Sequence, residues 1–253
     1  MGSYFLLGAG CSGLAYLVYK GRQLSMERHA MEFSKPINGQ TMLSPLVQQR
    51  IRSTLGYFGG GLAMTGAMVS ALRNSSLAYM NPFVFMFGSL GLLIGTQMVN
   101  YETNLPLKFA LWSGFMGITG LSLVPLINMA GMAIVYDALL ATGLSMGGLG
   151  LVAYNAPSEE FLRWGGALGV GMGAMFGIGL VSMFYPSPAL YNIWLYGGLA
   201  LFSAVTLYDV QKIVYNAKMK RTYDPINESL SIYLDAVILF QKFLLIFMGN
   251  KKK

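Results

Sequence analysis

Apolar runs at 3–19, 53–72, 82–99, 107–127, 131–154, 161–184, 190–211 and 229–248 follow one another along almost the whole chain. Most reach the roughly 20 residues that one helix needs to cross about 30 Å of hydrocarbon. They are too long and too evenly apolar for the short alternating strands of an outer-membrane barrel. With 55% hydrophobic and 11% charged residues among 253, a soluble fold would need a core larger than such a chain can enclose. The expectation is an all-α membrane protein in three parts: an N-terminal transmembrane helix at 1–20, a polar basic connector at 21–49, and a seven-helix membrane domain at 50–253.

The formal net charge of +7 does not indicate nucleic acid, because the basic residues stand between apolar runs and not on a soluble face with interleaved aromatics. Orientation accounts for them better. If every run crosses, most of the 17 basic residues, Lys20, Arg50, Lys108, Lys212 and Arg221 among them, flank the loops of one side. The positive-inside rule assigns that side to the cytosol, or to the matrix for an inner mitochondrial membrane. Lys251, Lys252 and Lys253 fall on the other side and favour a re-entrant last segment instead. Lys242 is left inside the last run, where it either neutralises an acid or, as the simpler expectation, snorkels to the interface. The run at 3–19 has no basic residue before it and Lys20, Arg22 and Arg28 after it, so it reads as an anchor and not a cleaved signal. No Arg- and Ser-rich transit segment is visible, so the residues by themselves name no organelle.

Cys11 has no partner for a disulfide, and with His29 as the only histidine the two make no zinc set. The 18 methionines are dispersed and read as filler, not as a copper path. Among the 32 glycines, Gly165, Gly169, Gly173 and Gly177 recur every fourth residue on one helix face. Such a face lets a second helix approach closely, either within the chain or in a dimer.

Three carboxylates stand inside apolar runs: Asp137, Asp209 and Asp235. Lipid offers no water to replace their hydration shells, so each needs a reason. Asp209 comes near the end of its run and Asp235 near the start of the next, which puts both within roughly 10 Å of the same membrane surface at about 1.5 Å per residue. On antiparallel helices the pair can meet. Two close carboxylates in a poorly solvated place cannot both ionise cheaply, and tend to share a proton. The same oxygens suit calcium, which tolerates irregular coordination. The plainer alternative is that they tie two helices together through Lys212, Tyr208, Gln211 or Ser231. Asp209 near a helix C-terminus would in either case need a specific partner. Asp137 either snorkels or lines the same cavity; Glu102, Glu159 and Glu160 are expected to be solvated in connectors, with gathering cations at an entrance as the alternative, so Asp137, Asn100 and Glu102 are accessory candidates for the site. No HExxH, phosphate-binding glycine loop or Ser/Cys–His arrangement is present, so no enzyme is expected. An intramembrane aspartyl protease would need glycines before Asp235, where Tyr233 and Leu234 stand.

The strings LYDVQKIV around Asp209, SIYLDAVILFQKFLLIF around Asp235 and GFMGITGLSLVPLI at 114–127 resemble the transmembrane Bax inhibitor motif family. NAPSEEFLRWGGALGVGMG, YDPINESLSIYLD, the first run and RIRSTLGY are similar to the mitochondrial branch of that family. The resemblance implies a Bax-inhibitor-like seven-helix bundle with a central last helix, plus one extra N-terminal transmembrane helix. It implies pH-dependent calcium transport, by calcium/proton exchange or leak, across the mitochondrial inner membrane, with links to cristae organisation and apoptosis. The family's paired aspartates fall on Asp209 and Asp235. A basic residue that latches them in bacterial and reticular members has no counterpart in TQMVNYETN, where Asn100 and Glu102 stand. The expected cargo is calcium and protons with no resident cofactor, and the expected partners are the bilayer, a second copy or other mitochondrial membrane proteins. A non-transporting scaffold for cristae is the alternative.

Overall fold

The computed structural model describes residues 44–156 and 160–250. The first apolar run with Cys11, most of the basic connector with His29, Glu159 and the terminal lysines lie outside the described residues. Among the described residues there is no strand. The helices are α1 (Pro45–Leu72), α2 (Pro82–Met98), α3 (Leu105–Ala130), α4 (Met132–Asn155), α5 (Gly165–Phe184), α6 (Pro188–Met219, with a π-helical turn at Ile193–Gly197) and α7 (Pro225–Asn250). Six of the spans are long and apolar enough to cross a membrane, and α2 is a shorter apolar helix of 17 residues. Among the described residues the molecule is an all-α integral membrane protein. Among the described residues α7 is the most enclosed span, with 56% of its most apolar window buried, against 6% for the span Phe161–Ser182, which overlaps α5.

Local chemistry fixes where these helices begin and turn. Ser44 and Asn81 cap α1 and α2, accepting hydrogen bonds from the backbone N–H groups of Val47 at 3.4 Å and Phe83 at 3.0 Å, with Pro45 and Pro82 opening the first turns. Gly131 alone separates α3 from α4, at φ 78°, a conformation that costs glycine nothing and other residues a steric clash. Asp224 caps α7 by accepting from the N–H groups of Ile226 and Asn227, both at 3.1 Å.

The described residues form two compact units: residues up to Leu126 with Thr222–Leu230, and Ile127–Arg221 with Ser231 onward. In the first, Gly120 lets α1 and α3 touch, for a Cβ there would stand 2.9 Å from the Thr65 carbonyl oxygen. Tyr57 sits edge-on to Trp112 at 5.7 Å and to Tyr101 at 6.4 Å, and all three rings are buried. Lys108, expected at the basic interface, is instead wholly buried. Its ammonium donates to the carbonyls of Thr96 at 2.6 Å and Val99 at 2.8 Å and to Asn227 Oδ1 at 2.8 Å, and pairs with Asp224 at 2.8 Å. The loose carbonyls at the end of α2 explain its depth, since they solvate the ammonium in place of water.

Tyr223, in the connector before α7, lies 2.6 Å from the Thr54 hydroxyl. Burial pushes its phenol up from 10.0 to about 12. A folded-state value above the unfolded one gives stability that is complete below about pH 10 and fades as pH rises towards 12. The thermal midpoint should therefore fall more steeply between pH 10 and 12 in the native protein than in Tyr223→Phe, which has no phenol to ionise. Parallel curves for the two proteins would contradict this.

In the second unit α6 packs against both α4 and α5. The observed α6 corrects an expected boundary. Its apolar run stops at 211, but the helix continues to Met219, because Lys212, Asn216 and Lys218 leave hydropathy low without breaking a helix. The expected long loop at 212–228 shrinks to residues 220–224. α7 is unbroken over 26 residues and offers no point at which a re-entrant segment could turn back.

Candidate functional site

Asp209 lies ten positions before the end of α6 and Asp235 ten positions after the start of α7. At 1.5 Å per residue each is about 15 Å from its helix end, deeper than the apolar runs imply. The macrodipole objection to Asp209 disappears with the longer helix. Both carboxyls are buried, at 7% and 3% exposure. Asp235 shares side-chain hydrogen bonds with Asp209 and with Thr206. A bond between two carboxyl groups requires a proton on one of them. Asp235 Oδ2 is buried and has no hydrogen-bond partner among the described residues. The structure therefore brings the two predicted aspartates together and leaves one oxygen able to accept a proton, a donor or a cation.

Thr206 was not singled out from the sequence. It is fully buried three residues before Asp209, hence on the same helix face, and its hydroxyl lies 2.8 Å from the Phe202 carbonyl and 3.8 Å from Met146 Sδ of α4. The spacing T-x-x-D was the available signal. The groups proposed to neutralise the pair are partly engaged elsewhere: Gln211 Oε1 accepts from the backbone N–H groups of Phe161 at 2.8 Å and Leu162 at 3.2 Å, and the Lys212 ammonium lies 5.7 Å from the Tyr208 ring centre.

The accessory candidates are not brought to this site. Asp137 is on the exposed face of α4, near its start, the position of a side chain that snorkels and not one that lines a cavity. Asn100 builds a turn, accepting from the N–H groups of Glu102 at 2.8 Å and Thr103 at 3.4 Å, while Glu102 is exposed. Among the described residues no three His, Cys, Asp or Glu side chains gather as a metal set. Any cation held by the pair would complete its shell with carbonyls or water.

The glycine face divides. A Cβ on Gly165 would stand 2.9 Å from the Tyr208 ring, so this glycine does admit α6. Gly169, Gly173 and Gly177 have nothing within 4 Å, and the close approach passes instead to Gly171, whose Cβ would meet Leu201 at 2.8 Å. Periodicity correctly groups the glycines, but of the four only Gly165 meets α6, and Gly171, two positions from Gly169 and from Gly173, lies nearly opposite them on the helix. Lys242 also departs from expectation. It does not snorkel: it is 4% exposed, donates to the Trp194 carbonyl at 2.9 Å and lies over the Trp194 ring.

Residues 47–252 match the family described as inhibitor of apoptosis-promoting Bax1. The chain is 35% identical to the growth hormone-inducible transmembrane protein of Rattus norvegicus, over 100% of its own length and 77% of that protein's. It is 27% identical to Bax inhibitor 1 of Bos taurus, across 83% of this chain and 90% of that one. An uncharacterized protein of Pseudomonas aeruginosa is 31% identical across 78% of this chain and 87% of its own. With a buried carboxyl pair on its last two helices and a family match over most of its length, the chain belongs to the Bax inhibitor family of membrane proteins.

Proposed function

We propose that this protein moves calcium across the mitochondrial inner membrane in a pH-dependent way, as a calcium/proton exchanger or a leak, with Asp209 and Asp235 as the ion and proton site. The observation that supports the reading is the buried hydrogen-bonded carboxyl pair with its free Asp235 oxygen. When both carboxyls are ionised they attract a divalent cation and repel each other. A proton shared between them removes one charge and closes the gap. Proton and calcium therefore compete for the same oxygens. The mitochondrial location rests on the strings shared with that branch of the family, and the basic loops would then face the matrix. No resident cofactor and no enzymatic step is needed, for calcium and protons are the cargo.

Purified protein in liposomes with an entrapped calcium indicator should show calcium flux that declines as pH is lowered through the neutral range. Flux equal to empty liposomes at every pH would reject the reading. A scaffold without transport is supported by the open face at Gly169 and Gly173, which offers another helix a close approach. It would show itself by full cellular function in aspartate variants and loss of assembly in Gly169→Leu with Gly173→Leu.

A further inference from the structure

The two helices that hold the carboxyl pair also hold a buried amine. Lys242 is seven residues beyond Asp235 on α7, about 10 Å further along the helix. Its Nζ donates to the carbonyl oxygen of Trp194 at 2.9 Å and lies 2.9 Å from the centre of that indole ring. Trp194 belongs to the π-helical turn Ile193–Gly197, where the widened register departs from the regular i to i−4 ladder and turns a carbonyl toward the neighbouring helix. Gly198 follows the turn, and a Cβ there would stand 2.9 Å from Lys242 Cε and 3.0 Å from Nζ. The absent side chain at 198 is thus the space that the lysine occupies. A carbonyl and a ring face together suit an ammonium and offer nothing to an anion.

We infer that Lys242, held by the π-helical turn at Trp194, is a fixed positive barrier that limits cation passage between the carboxyl pair and the far ends of α6 and α7. The inference rests on the transport reading above. A single fixed charge in a poorly solvated interior opposes cations in proportion to their valence, as charged residues do in selective pores. The carboxyl pair draws calcium in from one end, and the lysine restrains its exit at the other. A tether without this role would need only a hydrogen-bond donor.

Lys242→Gln separates the two roles, because its amide can still donate to the Trp194 carbonyl but carries no charge. In reconstituted liposomes calcium flux through Lys242→Gln should rise by about tenfold over the native protein and potassium flux by about threefold, since the barrier scales with ion charge. Lys242→Arg, with the charge kept, should stay within about twofold of native. Lys242→Met, which fills the space without a polar end, supplies a second uncharged variant should the amide not fold. Calcium flux no greater than native in the uncharged variants, or equal rises for calcium and potassium, would overturn the inference. Native protein without flux beside a conducting Lys242→Gln would reject the transport reading in its native form and still support the barrier. Silence in both proteins would reject both.

Discussion

Lys108→Met is expected to lower folding stability by about 3 kcal/mol, the cost typical of removing one partner of a buried ion pair. The ammonium is wholly buried and surrounded by four oxygens at 2.6–2.8 Å, two of them backbone carbonyls at the end of α2. Methionine would strand those carbonyls and leave Asp224 without its cation. Asp224 itself is 24% exposed, so water relieves part of its loss and Asp224→Asn should cost less. Thermal unfolding in detergent micelles or nanodiscs, followed by intrinsic fluorescence of the buried Trp112, reads both effects. The double variant should recover part of the Lys108→Met loss, because the two residues share one interaction. A midpoint unchanged by Lys108→Met would mean that the cluster contributes nothing to the fold.

The second large effect is on transport. Asp235→Asn should reduce calcium flux at alkaline pH by about tenfold or more, because an amide contributes no charge to a divalent ion. It should also flatten the pH profile, since the shared proton no longer has two carboxyls to occupy. Asp209→Asn should do the same, and the double variant should add little to either, as expected of residues that act as one unit. Liposome flux measured between pH 6 and 8 checks all three. A native pH profile in both single variants would remove the pair from the mechanism.

Much of this architecture could be read from hydropathy, because lipid obliges each backbone to satisfy its own hydrogen bonds within a helix. The end of α6 could not, since Lys212, Asn216 and Lys218 end the apolar run but not the helix. The carboxyl pair was legible for an energetic reason: Asp209 and Asp235 are costly in apolar runs, and the family strings place them together. Lys242 and Lys108 were misread as interfacial because their main partners are backbone carbonyls of Trp194, Thr96 and Val99, which leave no mark in the residue letters. The glycine repeat shows the limit of periodicity. It groups Gly169 and Gly173 on one face without saying which face has a neighbour.

The short link at residues 220–224 also sets the mechanics of the last two helices. So little chain between Met219 and Pro225 keeps the joined ends of α6 and α7 near each other, so a change in the angle between the helices moves side chains more the farther they lie from the link. The carboxyl pair lies about 15 Å along the two helices, so a tilt of about 5° parts the two acids by roughly 1 Å, enough to break a hydrogen bond. Lys242 lies farther out on α7 and sweeps a longer arc. A small change of angle would therefore reach the carboxyl pair and the Lys242–Trp194 contact together, so the two features share one mechanical constraint.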